Sequence, residues 1–262
     1  MSATLRVTLI QSELAWHDPK ANRTAFERLV APLAGTTDLI VLPEMFTTGF
    51  TMAAEQMAEP ANGPTLAWMR ELAARADAVI AGSVATTEAG HYYNRLLWVR
   101  PDGTHEHYDK RHLFRMAREQ EHYAPGEQRL IVELQGWKVC PLVCYDLRFP
   151  VWSRNRIGTN QGYDLVLYIA NWPEQRRYAW QTLLKARAIE NLCYCIGVNR
   201  VGQDGKDFNY TGDSAAIDFL GRPMAEPSEA PFVATVTLDR AALDEFRTRF
   251  PAHLDSDEFR VN

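Results

Sequence analysis

The sequence has 262 residues, 46% of them hydrophobic and 23% charged, which fits one or two globular domains and excludes disordered, collagen-like and coiled-coil chains. Lys and Arg total 28 against 33 Asp and Glu, a formal net charge of −5. That balance excludes nucleic acid as an expected partner, because neutralising phosphates requires a basic excess.

At the N-terminus, Met1-Ser2-Ala3-Thr4-Leu5-Arg6 has neither the apolar stretch nor the cleavage site of a signal peptide. No apolar run reaches the ~18 residues that cross a bilayer, so a cytoplasmic protein with no membrane partner is expected. Short β-branched runs predict strands at 5–10, 38–43, 78–86, 92–99, 104–109, 129–134, 137–144, 164–170, 193–199, 214–219 and 232–238. Between the first two, Asp18 and Pro19 read as a helix cap and first residue, and Phe26, Leu29, Val30 and Leu33 at helical spacing extend that helix over 19–34. Similar one-sided patterns predict helices from Thr65 to Ala76 and from Tyr178 to Leu192. Pro101-Asp102-Gly103 makes residues 92–109 a hairpin, and Gln135-Gly136 turns a second one. The alternation is that of a layered α/β fold, and runs such as Leu165-Val166-Leu167-Tyr168-Ile169 require a sheet covered on both faces. With no repeat or linker, residues 1–262 read as a single domain.

Three segments carry candidate chemistry. Glu44 follows the apolar run Leu39-Ile40-Val41-Leu42-Pro43, and Lys110 ends the second strand of the first hairpin. Taken alone, each has an ordinary alternative, a loop cap for the Glu and an ion pair with Asp109 for the Lys. Cys144 ends the strand Val139-Cys140-Pro141-Leu142-Val143, and Phe149-Pro150-Val151-Trp152 then starts a helix, so strand, cysteine, turn and helix resemble a nucleophile elbow in outline. Cys140, Cys193 and Cys195 read as small buried hydrophobes, and all four thiols as reduced. Together the segments supply a base, a cation for an oxyanion and a nucleophile, provided that three distant strand ends converge.

Leu42-Pro43-Glu44-Met45-Phe46, Tyr108-Asp109-Lys110-Arg111-His112-Leu113-Phe114 and Val143-Cys144-Tyr145-Asp146-Leu147-Arg148-Phe149-Pro150 resemble, in order and spacing, the three signature blocks of the nitrilase (carbon–nitrogen hydrolase) superfamily. The resemblance extends to Gly82-Ser83, Asn94, Tyr168-Ile169-Ala170-Asn171-Trp172, Ala186-Arg187-Ala188-Ile189-Glu190-Asn191 and Gly212-Asp213-Ser214. Met-Phe after Glu44 and Asp-Leu-Arg-Phe-Pro after Tyr145 are most similar to the omega-amidase branch, whose members hydrolyse the side-chain amide of 2-oxo acids such as 2-oxoglutaramate.

The resemblance implies a four-layer α-β-β-α sandwich, a homodimer joined through outer helices, and no metal or organic cofactor. It also implies Glu44 as base, Lys110 as oxyanion stabiliser and Cys144 as nucleophile acting through a thioester. A second glutamate is implied near the lysine, and counting back from Pro125-Gly126 places it at Glu119 rather than Glu121. The Tyr145 backbone N–H is expected at the oxyanion, with Asn171 and Trp172 lining the pocket. Among nearby arginines, Arg177 is assigned to a substrate carboxylate, Arg176 is an alternative, and Arg148 is expected in an intramolecular ion pair. The substrate is a small-molecule amide; a nitrile or carbamoyl substrate, or a catalytically silent binding protein, is the alternative. A Cys–His hydrolase using His112, His105 or His107 lacks its flanking signature, and neither cysteine pair has the C-x-x-C spacing of a zinc site.

Overall fold

The computed structural model describes residues 3–225 and 228–258. In chain order its strands are β1 (Thr4–Gln11), β2 (Leu39–Val41), β3 (Glu59–Pro60), β4 (Val79–Glu88), β5 (His91–Val99), β6 (His105–Asp109), β7 (Val132–Leu134), β8 (Trp137–Val143), β9 (Leu165–Ala170), β10 (Tyr194–Asn199), β11 (Val201–Gln203), β12 (Asn209–Thr211), β13 (Ala215–Ile217) and β14 (Phe232–Asp239). The helices are α1 (Pro19–Val30), α2 (Ala54–Met57), α3 (Pro64–Ala76), α4 (Pro150–Ser153), α5 (Arg177–Asn191) and α6 (Arg240–Arg249). None is long and apolar enough to cross a membrane among the described residues.

One sheet runs β14-β1-β2-β4-β5-β6, with β3 paired to β4, and the other runs β13-β10-β9-β8-β7. β1, β2 and β4 are mutually parallel, as are β8, β9 and β10, and antiparallel strands close both edges. The period-2 alternation of β2 shows how the layers arise. Leu39 and Val41 join a core shared with Val139, Val166 and Ile196 of the second sheet, whereas Ile40 and Leu42 pack with Phe26 of α1 and Met69 of α3. On the far side, Trp180, Leu184 and Ala188 of α5 cover the second sheet, completing a helix–sheet–sheet–helix sandwich. The α/β layering expected from the apolar runs is thus present, with one layer more than their minimum.

Two expected helices differ from those observed. α1 stops at Val30 and gives way to a single 3-10 turn over Ala31–Leu33, because Pro32 has no N–H to donate back into the helix. After Cys144 there is no extended helix. Cys144–Arg148 forms a 3-10 turn, and α4 is one turn long before Arg154 turns extended and the Asn155 side chain bonds the carbonyls of Tyr163 and Asn191.

Candidate active site

β2 ends two residues before Pro43, and Glu44 then enters a loop fastened to β4, where Ser83 Oγ accepts the Met45 N–H at 2.8 Å and Ser83 O accepts the Phe46 N–H at 3.1 Å. The Glu44 side chain is fully buried. Its Oε1 accepts from Lys110 Nζ at 2.9 Å and Asn94 Nδ2 at 2.7 Å, and its Oε2 accepts the Asn171 N–H at 2.8 Å. Asn171 also donates its side-chain amide to the Glu44 carbonyl. The carboxylate is therefore oriented from both sheets.

Lys110 follows β6, where its N–H donates to Asn94 O at 3.0 Å and its carbonyl accepts the Gly126 N–H at 3.0 Å. A Cβ on residue 126 would stand 2.0 Å from the Asp109 carbonyl oxygen, so only glycine lets the chain pass here. The expected alternative for Lys110 does not occur: Asp109 pairs with Arg95 at 2.7 Å, and the lysine turns inward. Lys110 Nζ lies 3.0 and 2.9 Å from the two Glu119 oxygens, and the Phe114 N–H donates to Glu119 Oε2 at 2.6 Å. Glu121 is exposed and stands 3.9 Å from Arg118, so the geometry brings Glu119 and not Glu121 to the lysine.

Cys144 sits where β8 meets the 3-10 turn, with φ +44°, a left-handed conformation that costs a non-glycine residue on the order of 1–3 kcal/mol. The first N–H groups of such a turn lack intrahelical partners, and that of Tyr145 is among them. Burial pushes the Cys144 thiol well above its ordinary pKa, and the Glu44 charge and hydrogen bond push it further while Lys110 opposes them. The resting sulfur is a thiol that needs a base. Burial works against the Lys110 ammonium, but Glu119 and Glu44 outweigh it and hold the charge. Glu119 is itself raised by burial, with Lys110 pulling it down and Glu44 pushing it up.

A cavity of about 250 Å³ opens onto these groups, lined among others by Lys110, Cys144, Tyr145, Asn171 and Trp172. Arg177 is not part of its wall; its guanidinium pairs with Asp213 at 2.7 Å and also holds Glu229. That assignment is corrected by the buried Asp213 carboxylate, which claims the side chain. Arg148 and Arg176 do line the cavity. Arg148 stacks over the Trp172 ring at 4.9 Å and makes no ion pair among the described residues, contrary to the expectation for it. Arg176 lies over Phe114 at 5.1 Å. Sequence reasoning did not single out the wall from β11 to β12, where Asp204 accepts the Tyr210 hydroxyl at 2.9 Å; both residues face the cavity. His105 stands beside Arg70 and His107 beside Asp109 on β6, away from this wall. Cys140, Cys193 and Cys195 are buried in the core, Cys140 with its pKa pushed up by burial to about 12.

A model of the carbon-nitrogen hydrolase family matches residues 6–248. The chain belongs to this family. Among relatives of this carbon–nitrogen hydrolase, "Omega-amidase YafV" of Yersinia enterocolitica is 49% identical over 259 residues, 98% of each chain. The "2-oxoglutaramate amidase" of Bacillus subtilis is 30% identical over 95% of this chain and 96% of its own. A crystal structure of XC1258 from Xanthomonas campestris, a CN-hydrolase superfamily protein with an arsenic adduct in its active site, superposes with a TM-score of 0.97 at 52% identity, each chain covered completely. In chemical terms the carbon–nitrogen hydrolase cavity brings together a thiol, a buried carboxylate and a buried ammonium that act on it electrostatically, and the backbone N–H of a turn start, the set needed for acyl transfer through sulfur.

Proposed function

We propose that this enzyme hydrolyses the side-chain amide of omega-amido 2-oxo acids, 2-oxoglutaramate and 2-oxosuccinamate, to the dicarboxylate and ammonia. Glu44 takes the Cys144 proton as Sγ bonds to the amide carbon. The resulting oxyanion lies against the Lys110 ammonium and the Tyr145 N–H, a kind of donor worth about 3 kcal/mol each. Collapse breaks the C–N bond, and Glu44 returns its proton to the leaving nitrogen, releasing ammonia and a thioester. Glu44 then deprotonates water, which attacks the thioester carbon, and the departing sulfur takes that proton back. Glu119 clasps the ammonium of Lys110 throughout.

One observation carries the substrate: Arg148, stacked on Trp172 in the same cavity as Cys144, pairs with no carboxylate among the described residues. A guanidinium left free in a cavity matches the carboxylate that every omega-amido 2-oxo acid carries at the end opposite its amide. The names of the relatives support the same choice. The reading includes a single-domain, cytoplasmic homodimer. Val151 on α4 and Tyr178 and Ile189 on α5, all more than half exposed, support contact through that outer layer.

Ammonia release from both amides, measured on the reduced enzyme beside Cys144→Ala and Cys140→Ala, tests the proposal. Loss of at least about 10³-fold in Cys144→Ala, with Cys140→Ala within about threefold of the parent, is the expected result. Turnover of a nitrile while both amides fail would falsify the substrate.

A further inference from the structure

Four hydrogen bonds converge on one carboxylate outside the cavity wall. Asp146 is fully buried, and its Oδ2 accepts the Val143 N–H at 3.0 Å and the Tyr108 hydroxyl at 2.7 Å. Its Oδ1 accepts the His112 N–H at 3.0 Å and the His112 ring Nδ1–H at 2.7 Å. Val143 immediately precedes the nucleophile, and Tyr108 and His112 stand two residues to either side of Lys110. Among the described residues no Lys or Arg pairs with Asp146, so its charge is compensated by these donors alone.

We propose that Asp146 and His112 are positioning residues that hold the Lys110 ammonium and the Cys144 thiol in register across the two sheets. The left-handed Cys144 backbone persists only if its surroundings over-determine it, and Asp146 fixes the N–H of the residue just before it. The same carboxylate fastens both flanks of Lys110. Displacing either segment strips a hydrogen bond from a buried charge, a loss that water cannot make good. His112 is set in turn by stacking on Phe149, with ring centroids 3.8 Å apart and planes 6° from parallel, and Phe149 meets Tyr145 edge-on at 5.1 Å. Because a carboxylate only accepts, Nδ1 carries the proton and His112 serves as donor to Asp146. The ring is thereby committed to the brace.

This inference rests on the Lys110–Cys144 chemistry proposed above but not on the substrate. His112→Asn keeps a side-chain donor near Nδ1, whereas His112→Phe keeps the stack and removes the donor. Both full-length variants would be measured for kcat and KM in ammonia release from 2-oxoglutaramate, for the rate at which iodoacetamide alkylates Cys144, and for Tm. His112→Asn is expected within about threefold of the parent in kcat and alkylation rate. His112→Phe is expected to lose roughly thirtyfold or more in kcat with KM within about twofold, and to be alkylated about tenfold more slowly, at a Tm close to that of His112→Asn. Asp146→Asn should repeat the His112→Phe pattern. Equal kcat and alkylation rates in the two His112 variants, a loss confined to KM, or losses that follow Tm alike in all variants would overturn the proposal. Should the parent release no ammonia, the substrate reading fails while the alkylation rates still decide the brace.

Discussion

A buried carboxyl such as Glu119, which shares a lysine with a second glutamate, makes a definite statement about stability and pH. Its pKa is raised in the folded chain, chiefly by burial, so folding favours its protonated form. The associated stabilisation is fully present below the ordinary carboxyl value and is lost as pH rises through the folded one. Glu119→Gln has no such dependence, so its Tm relative to the parent should climb as pH rises above the ordinary carboxyl value, whatever its offset. A Tm series on both proteins checks this, and parallel curves would contradict it. Its kcat should fall, since Lys110 loses one of its two carboxylates. Arg148 and Arg177 give a second contrast. Arg148→Met should raise KM for 2-oxoglutaramate about tenfold or more with a smaller change in kcat, whereas Arg177→Met should lower Tm and leave KM unchanged. Steady-state kinetics with a melting curve separate them. Sequence alone could not sort Arg177 from its neighbour Arg176: adjacent residues at a helix start point about 100° apart, and the Asp213 that claims Arg177 is far along the chain. Glu44, Lys110 and Cys144 stood out because each lies at the end of an expected strand and in a signature block. The Asp146 brace did not, because it joins two blocks far apart in the chain: Tyr108 and His112 reach it from 38 and 34 residues away.

The elements whose period is clear were readable to within a few residues, as β1, β9, β10 and α3 illustrate. Those defined by partners rather than by pattern were not. β3 is two residues paired to β4, β11 and β12 form a separate ribbon, and α6 carries only Leu243 as a buried residue. A signal for α6 was nevertheless present: Asp239 accepts the Ala242 N–H at 3.1 Å, as an N-cap should. At this scale Gly126 is the sensitive position. Gly126→Ala drives a methyl against the Asp109 carbonyl, and relief requires the end of β6 to shift, taking Lys110 with it. A stability loss of roughly 1–3 kcal/mol and a disproportionate fall in kcat are expected, read from denaturant unfolding and ammonia release. Unchanged kcat in a destabilised but folded variant would mean that the strand end is not what sets the lysine.

For the molecule as a whole, the outer helical layer is the place to test assembly. Sedimentation velocity at micromolar concentration should give twice the monomer mass, and Tyr178→Glu should shift it toward the monomer; a parent that sediments as a monomer would refute the dimer. The origin of the catalytic groups has a different consequence. Glu44 and Lys110 come from the ends of β2 and β6 in one sheet, and Cys144 and Asn171 from the ends of β8 and β9 in the other. A nascent or partly melted chain that has made only one sheet therefore owns either Glu44 and Lys110 or Cys144, never the set. On the proposed chemistry the thiol meets its base only when both halves have closed on each other, so turnover reports completion of the native state. Denaturant should abolish activity at the midpoint where tryptophan fluorescence reports loss of the core.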